Sequence, residues 1–332
     1  MSALPAQFAL RTLPLACIAL CVLFPDGWLA LPADPAAEPV QSLPAVRATH
    51  SLLLDGASVD GLLVAVGERG HVLLSDDGGL SWRQTTVPTR ATLTGVFFLD
   101  DSLGWAVGHD AVILRTMDGG RSWERVYYAP EQERPLLDVW FRDARNGFVV
   151  GAYGFFLVTA DGGTSWTERQ VSDQDDFHLN HIATSDTGRL YLAAEAGTIY
   201  RSDDGGESWL SLPSPYEGSF FATLPLQGDS LLAMGLRGHL FRSEDAGTTW
   251  EEMKTATHAM LTDGLHLRDG SILITGLEGI LLISKDAGHS FSLIQRSDRQ
   301  ALATALQASE AALVLIGEFG LSRIPTSELT SR

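Results

Sequence analysis

The sequence predicts an all-β fold, a seven-bladed β-propeller built from four-stranded antiparallel blades. Three observations lead to this prediction. An eight-residue motif recurs six times at steps of 41 to 43 residues, a Gly-flanked turn recurs seven times, and short apolar runs separate the two features. Internal repeats with a period near 40 residues are typical of propellers, in which each repeat forms one blade.

The six-fold motif begins with "SDDGGLSW" at Ser75 and last appears as "SKDAGHSF", which ends at Phe291. Its Asp can accept backbone N–H groups, its second Gly permits a positive φ, and its aromatic residue anchors the next strand. A catalytic acid is needed once or twice per site, so six copies indicate structural turns, and they lack the bidentate Glu of a calcium loop. The predicted structural residues are Asp77, Trp82, Asp118, Trp123, Asp161, Trp166, Asp204, Trp209, Asp245, Trp250, Asp286 and Phe291.

The seven-fold turn is "GERG" at Gly67 to Gly70 in its first copy and "GEFG" at Gly317 to Gly320 in its last. Apolar runs such as "LLVAV" and "HVLLS" flank each copy, which is typical of a β-hairpin. Adding the run before each hairpin and the run after each aromatic residue gives four strands per repeat.

The seventh repeat lacks the Asp motif and a fourth strand, because only "TSELTSR" follows Pro325. Near the other end, "SLPAVRAT" (Ser42 to Thr49) is similar to "TVPTRAT" (Thr86 to Thr92), which leaves the outer strand of blade one. We therefore predict that Val40 to Leu43 forms the outer strand of blade seven and closes the ring without exposed edges. The propeller is expected to span residues 40–326, followed by a C-terminal tail, 327–332.

Residues 1–33 have a different composition, with a 12-residue apolar run from Leu13 to Phe24 behind Arg11. This length is typical of a signal peptide and short for a membrane span. We expect residues 1–33 to be a signal peptide, residues 34–39 a mobile mature N-terminus, and the protein an exported one, with the periplasm favoured over a lipoprotein or a thylakoid-lumen placement. Both cysteines, Cys17 and Cys21, lie in this leader.

The formal net charge of −18 excludes one class of partner. Such a surface repels phosphate backbones, so nucleic-acid binding is not expected, and contact with a membrane is peripheral at most. The chain is predicted to be a monomer.

The pattern [ST]-x-D-x-G-x-[ST]-W resembles the Asp-box, or bacterial neuraminidase, repeats. Together with seven copies and "GWAVGHDAVILRTMDGGRSW" (Gly104 to Trp123), residues 40 to 324 most resemble the photosystem II stability/assembly factor propellers. This resemblance implies a non-catalytic, cofactor-free chaperone that holds a membrane-protein subunit while its complex is assembled. Relatives also occur in bacteria without photosynthesis, where the membrane-protein client must be a different one, such as a transporter-associated complex.

A carbohydrate-active propeller, either a glycosidase, a sialidase-like enzyme or a lectin, is the alternative. "SRIP" at Ser322 to Pro325 resembles the arginine motif of sialidases, but in sialidases that motif precedes the Asp-boxes, whereas here it follows all of them. A glycosidase needs two carboxyl groups about 5–10 Å apart, and no spacing in this chain marks such a pair. We therefore predict that the protein is not an enzyme.

Two sets of residues are candidates for binding. The hairpin turns share one face of the ring and differ in sequence on a repeated frame, as expected for a specific surface. The alternative is that they are solvated turn residues. The predicted partner-binding residues of this turn face are Glu68, Arg69, His109, Asp110, Tyr153, Glu195, Arg237, Glu278 and Phe319. Counting back 16 residues from the last turn position selects Asp138, His181 and Asp263 at the channel mouth, where the alternatives are a water-filled channel or a small-molecule or ion site. No metal site is predicted.

Overall fold

The structure is a computed structural model that describes residues 39–329. Seven antiparallel sheets follow one another along the chain, six with four strands and one with three among the described residues. The predicted all-β, seven-bladed propeller is therefore confirmed. The expected signal peptide lies outside the described residues.

The first four blades are formed by consecutive strands. Blade one contains β1 (Leu53–Val59), β2 (Leu62–Gly67), β3 (His71–Ser75) and β4 (Arg83–Thr85). Blade two contains β5 (Leu93–Phe98), β6 (Gly104–Gly108), β7 (Val112–Thr116) and β8 (Glu124–Tyr127). Blade three contains β9 (Leu136–Phe141), β10 (Gly147–Gly151), β11 (Phe156–Thr159) and β12 (Thr167–Arg169). Blade four contains β13 (Leu179–Thr184), β14 (Leu190–Ala194), β15 (Ile199–Ser202) and β16 (Leu210–Ser211).

The remaining blades continue this order. Blade five contains β17 (Phe220–Pro225), β18 (Leu231–Gly235), β19 (Leu240–Ser243) and β20 (Glu251–Glu252). Blade six contains β21 (Leu261–His266), β22 (Ile272–Gly276), β23 (Ile280–Ser284) and β24 (Ser292–Gln295). Blade seven contains β25 (Leu302–Ser309), β26 (Ala312–Gly317) and β27 (Gly320–Pro325). The 3-10 segments are Ala48–His50, Glu68–Gly70, His109–Ala111, Pro130–Gln132, Leu236–Gly238, Leu277–Gly279 and Thr326–Leu329.

The hydrophobic core is distributed around the ring. The second strand of every blade is buried at each of its positions, because neighbouring blades cover both of its faces. This explains why these strands are continuous apolar runs rather than alternating ones. Seven hydrophobic clusters each join two adjacent blades, and the cluster with Leu63 of blade one and Val314 of blade seven closes the ring.

The six Asp turns repeat one hydrogen-bond pattern. In the first copy, Ser81 donates its N–H to Asp77 Oδ1 (2.9 Å) and its hydroxyl to Asp77 Oδ2 (2.6 Å). Ser75 donates its hydroxyl to Asp77 Oδ1 (2.8 Å) and accepts the N–H of Gly79 (2.9 Å). Gly79 has a φ of 78°, which a side chain rarely adopts. The carboxylate thus satisfies its own turn, as the sequence predicted for a structural motif.

The aromatic residue of each Asp motif packs between its own blade and the preceding one. Trp123 lies edge-on against Phe98 at 6.0 Å and donates its indole N–H to the carbonyl of Gly120. Trp166 contacts Phe141 in the same way at 6.0 Å. Of the six aromatic residues, Trp123 is buried and the other five are half-buried.

The predicted N-terminal closing strand is wrong in its partner. The N–H of Ser42 donates to the carbonyl of Val87 (2.8 Å), and the N–H of Val87 donates to Ser42 Oγ (2.9 Å). Gln84 of β4 bonds through its side-chain amide to Ala45 and Leu43. Residues 41–45 therefore line the outer side of blade one, and blade seven has three strands in the described part of the chain.

The C-terminal turn fills part of the space that the seventh Asp motif leaves. Leu329, at the end of Thr326–Leu329, is buried in the cluster between blades six and seven. This cluster has no aromatic member among its buried residues, whereas the junction between blades three and four holds Trp209. Part of the tail predicted for residues 327–332 thus packs on the propeller.

Candidate partner-binding face

The hairpin turns present their second residue to solvent in all seven blades. This residue is exposed at Arg69, Asp110, Tyr153, Ala196, Arg237, Glu278 and Phe319. In the first six of these positions the backbone is left-handed, with φ between 51° and 60°. The frame repeats while the exposed side chain changes, so the face carries a different group at each blade.

Blades three and four bring two of the predicted residues together through a third. The ring of Tyr153 lies 4.7 Å from that of His178, and His178 Nδ1 is 2.6 Å from Glu195 Oε2. The same carboxylate oxygen accepts the N–H of His178 at 3.0 Å. Glu195 thereby fixes the imidazole, which in turn supports an exposed tyrosine ring on the turn face.

A similar trio on blade five was missed by sequence reasoning. Tyr216 stacks at 4.4 Å on His239, whose Nδ1 is 2.6 Å from Glu252 Oε1. These residues lie on a linker and on the edges of short strands, where no turn motif marks them. The repeated combination of aromatic residue, histidine and glutamate was the available signal.

The other predicted turn residues are separate from one another. Glu278 lies 3.6 Å from Arg299, and Arg69 lies 4.0 Å from its neighbour Glu68. Phe319 is 54% exposed, so its ring is free to contact a partner. His109 and Asp110 are exposed at the turn of blade two.

The channel mouth lies at the same end of the ring as the hairpin turns and opens into a space of about 700 Å³. Asp138 and Asp263 line it with His181, as predicted. Asp138 Oδ2 accepts the N–H of Ile182 in the next blade (2.8 Å), and Asp263 Oδ2 accepts the hydroxyl of Thr304. His181 Nε2 is 4.0 Å from Asp138. The carboxylates thus join neighbouring blades.

A third carboxylate of this set, Asp55, was missed because the count was made for blades two to seven. Asp55 pairs with Val66 after a register shift, as Asp138 pairs with Val150 in blade three. Its Oδ2 accepts the N–H of Val96 in blade two (2.8 Å). The turn between β1 and β2 is one residue shorter than in blade two, so Asp55 lies 15 rather than 16 residues before Gly70.

The channel environment raises the pKa values of two of these carboxyl groups. Burial in the narrow channel, together with repulsion from Asp138, raises the pKa of Asp55 well above its ordinary value. Burial also raises the pKa of Asp138, although the nearby His181 opposes this. The paired backbone N–H groups lower both pKa values without cancelling the effect of burial.

Two searches of residues 39–329 gave no site. No group of three or more His, Cys, Asp or Glu side chains in this range is arranged to hold a metal ion. No helix among the described residues is long and apolar enough to cross a membrane.

Comparison with known families identifies the repeats. The family model described as photosynthesis system II assembly factor YCF48 matches residues 49–132 and 129–225, more than half of the chain. The chain belongs to this family. The family assignment agrees with the resemblance drawn from the Asp-box motif and the Gly-Trp-Ala-Val-Gly segment.

Two curated relatives are similar over short stretches. The photosystem II assembly protein Ycf48 of Thermosynechococcus vestitus is 42% identical over 43 residues, which are 13% of this chain and 12% of that protein. The chloroplastic photosystem II stability/assembly factor HCF136 of Cyanidioschyzon merolae is 31% identical over 104 residues, which are 29% of this chain and 24% of that protein. The aligned segments thus span less than a quarter of each relative, or about a quarter at most.

Solved structures share the fold. A structure titled YCF48 bound to D1 peptide superposes with a TM-score of 0.68 at 19% identity, over 86% of this chain and 94% of that one. The structure of YCF48 from Cyanidioschyzon merolae gives 0.66 at 18% identity, over 84% and 96%. A GH74 xyloglucanase from Xanthomonas campestris gives 0.65 at 14% identity, over 83% of this chain and 52% of the enzyme. At these identities the likeness is one of fold alone.

Proposed function

We propose that this propeller is a non-catalytic assembly or stability factor that binds a subunit of a membrane-protein complex through its turn face. The observation that carries the proposal is membership of the YCF48 assembly-factor family, one of whose structural neighbours is titled as bound to a D1 peptide. The turn face fits this role because it combines a repeated scaffold with exposed aromatic and charged side chains, which are frequent at interfaces.

The non-catalytic part of the proposal is supported by how the channel carboxylates are used. Asp55 and Asp138 each accept two backbone N–H groups, which leaves them as fasteners between blades rather than a free acid and base pair. The xyloglucanase shares the fold at 14% identity, and a fold does not fix an activity. We expect no hydrolysis of sialosides or β-glucans by the purified protein. Turnover abolished by Asp138→Asn or Asp263→Asn would contradict this.

We place the protein outside the cytoplasm, in the periplasm, as a monomer that touches the membrane at most through its client. Support comes from the apolar leader at Leu13 to Phe24 and from the charge of −18, which disfavours anionic lipid and nucleic acid. Fractionation of cells carrying the tagged chain measures this directly. A tagged protein that stays in the cytoplasmic fraction contradicts export.

The binding proposal is tested by affinity capture from solubilised membranes. We expect Arg69→Glu, Tyr153→Ala and Phe319→Ala to reduce capture of one membrane-protein subunit without unfolding the propeller, since exposed turn changes cost about 0.5 kcal/mol or less. Matched controls are Leu80→Ala and Met117→Ala on the Asp-turn face, where both side chains are 71% exposed. Capture that survives the three turn variants and fails with the two controls would place the partner on the opposite face.

A further inference from the structure

Blade one shows how this fold holds an extended segment. Residues 41–45 lie in a groove between the hairpin turn that ends at Gly70 and the linker 84–90. Ser42 exchanges two hydrogen bonds with the main chain of Val87, and the Arg90 guanidinium donates to the carbonyl of Gln41 (2.9 Å). Ser42 is 2% exposed as a result. The groove therefore binds its occupant mainly through backbone groups.

Blade five has the same groove at a constant offset of 168 residues. A side chain at Gly238 would meet the carbonyl of Thr257, as one at Gly70 would meet the carbonyl of Thr89. The N–H of Ala259 donates to Thr257 Oγ1 (3.1 Å), as the N–H of Ala91 donates to Thr89 Oγ1 (3.0 Å). These matching contacts show that the two grooves have the same local architecture.

The blade-five groove holds no segment of the chain described here. Its walls, formed by Arg237–Glu252 contacts on one side and residues 253–258 on the other, enclose about 560 Å³, a volume within the usual range for ligand sites. Thr255 is the counterpart of Val87, and within residues 39–329 its main-chain N–H and C=O have no hydrogen-bond partner. The donor and acceptor that hold Ser42 in blade one are therefore available in blade five.

The rim of this groove is basic on an acidic protein. Arg237, Lys254 and His258 line it with exposed side chains, and none of the three forms an ion pair or side-chain hydrogen bond within the described range. The one carboxylate in the lining, Glu252, is bound to His239 Nδ1 at 2.6 Å. The counterparts of Lys254 and Glu252 in blade one are the uncharged Thr86 and Gln84.

We propose that the blade-five groove binds an extended, acidic segment of a partner polypeptide in the way that blade one binds residues 41–45. The inference rests on the proposed function in that the partner approaches the turn face. The intramolecular occupant of blade one specifies the extended backbone, and the unpaired cations specify the acidic side chains. Main-chain pairing supplies affinity and the cations supply specificity, as in other cases of strand addition.

The test uses labelled, amidated peptides in fluorescence anisotropy with the purified full chain. The parent probe is Glu-Pro-Val-Gln-Ser-Leu-Pro-Ala-Val, the sequence of residues 38–46, and its acidic and basic analogues carry Asp or Lys in place of Val and Leu at the third and sixth positions. We expect the acidic analogue to bind at least about tenfold more tightly than the basic one. N-methylation of its serine removes the donor to Thr255 and is expected to weaken binding about five- to tenfold.

The protein variants locate the site. Reversing two rim charges in the double variant Arg237→Glu/Lys254→Glu is expected to weaken the acidic analogue about tenfold or more, because each exposed pair contributes up to about 1 kcal/mol and reversal adds repulsion. Arg69→Glu, its counterpart on the occupied groove of blade one, is expected to leave the affinity unchanged. Equal effects of both variants, equal binding of both peptide analogues, or self-association through the groove would overturn the proposal.

Failure of this inference and failure of the proposed function have different signatures. If the double variant captures the membrane subunit as wild type does and no peptide binds, the groove is not the site while the function stands. If the acidic peptide binds the groove but membranes yield no captured subunit, the groove stands and the proposed function fails.

Discussion

Ala196 is the one alanine among the left-handed second residues of the hairpin turns, with a φ of 51°. A non-glycine residue in this region costs about 1–2 kcal/mol, and the greater backbone entropy of glycine in the unfolded chain returns about 0.5–1 kcal/mol of that. We expect Ala196→Gly to raise the free energy of unfolding by about 0.5–1 kcal/mol, measured by urea denaturation. Gly197→Ala is the matched control, because its Cβ would collide with the carbonyl of Tyr216 at a φ of 74°. A less stable Ala196→Gly variant would contradict the strain argument.

Trp123 and Trp166 occupy the same motif position but differ in burial. Trp123 is 9% exposed and packs edge-on against Phe98, whereas Trp166 is half-buried against Phe141. We expect Trp123→Ala to cost about 3–5 kcal/mol of unfolding free energy, as for large buried aromatic residues, and Trp166→Ala to cost less. Urea denaturation of the two variants measures the difference. A larger loss for Trp166→Ala would mean that the junction between blades two and three depends more on its aromatic residue than burial indicates.

At the residue scale, the Asp-box contacts were predictable because every donor and acceptor lies within seven residues of sequence. The channel carboxylates were only partly predictable. Asp138 and Asp263 follow from a fixed count, while Asp55 is displaced by a one-residue shorter turn that no residue type announces. Tyr216, His239 and Glu252 meet only because blade five folds them together, so nothing local predicted their contact.

At the element scale, the segment of residues 41–45 is held by blade one through a small number of buried groups. Ser42→Ala would leave the N–H of Val87 without its acceptor in a buried site. We expect this variant to lose about 1–3 kcal/mol of unfolding free energy. Leu43→Ala, a control at a 60% exposed side chain of the same segment, should change stability by about 0.5 kcal/mol or less. Thermal unfolding of the two variants compares them, and equal melting temperatures would show that blade one does not hold the segment.

The error about the closing strand has a physical origin. The similarity of residues 42–49 to residues 86–92 reflects a shared turn contact, since Thr49 lies against Gly320 as Thr89 lies against Gly70. That contact fixes where the segment ends. The edge beside which it begins is chosen by Ser42 and Gln84, whose hydrogen bonds cross 39 to 45 residues of sequence. The number of blades was predictable from repeated local units, whereas the partner of one unrepeated segment was not.

At the scale of the whole molecule, two sets of carboxyl groups give stability opposite dependences on pH. Hydrogen bonds from the serine hydroxyls, foremost among the causes, lower the pKa values of Asp77, Asp161, Asp204 and Asp286 to about 2. The stability they contribute is present above their ordinary pKa of 3.8 and is lost as the pH falls through about 2. The channel groups Asp55 and Asp138 have raised pKa values instead. Between 3.8 and those raised values the folded state holds protons that the unfolded state has released, so stability falls as pH rises through that window.

The free energy of unfolding is therefore expected to be greatest at a pH moderately above 4 and to decline on both sides, measured by urea denaturation across a pH series. Asp55→Asn removes the most strongly raised group, because its neutral side chain cannot ionise in the channel. This variant should decline less steeply on the alkaline side of the maximum while keeping the acid limb, which belongs to the Asp turns. Ser165→Ala, which removes the hydroxyl donor to Asp161 Oδ2, should act on the acid limb alone. If Asp55→Asn leaves the alkaline slope unchanged, Asp55 is ionised in the folded protein across this range, and the fasteners between blades are charged rather than protonated.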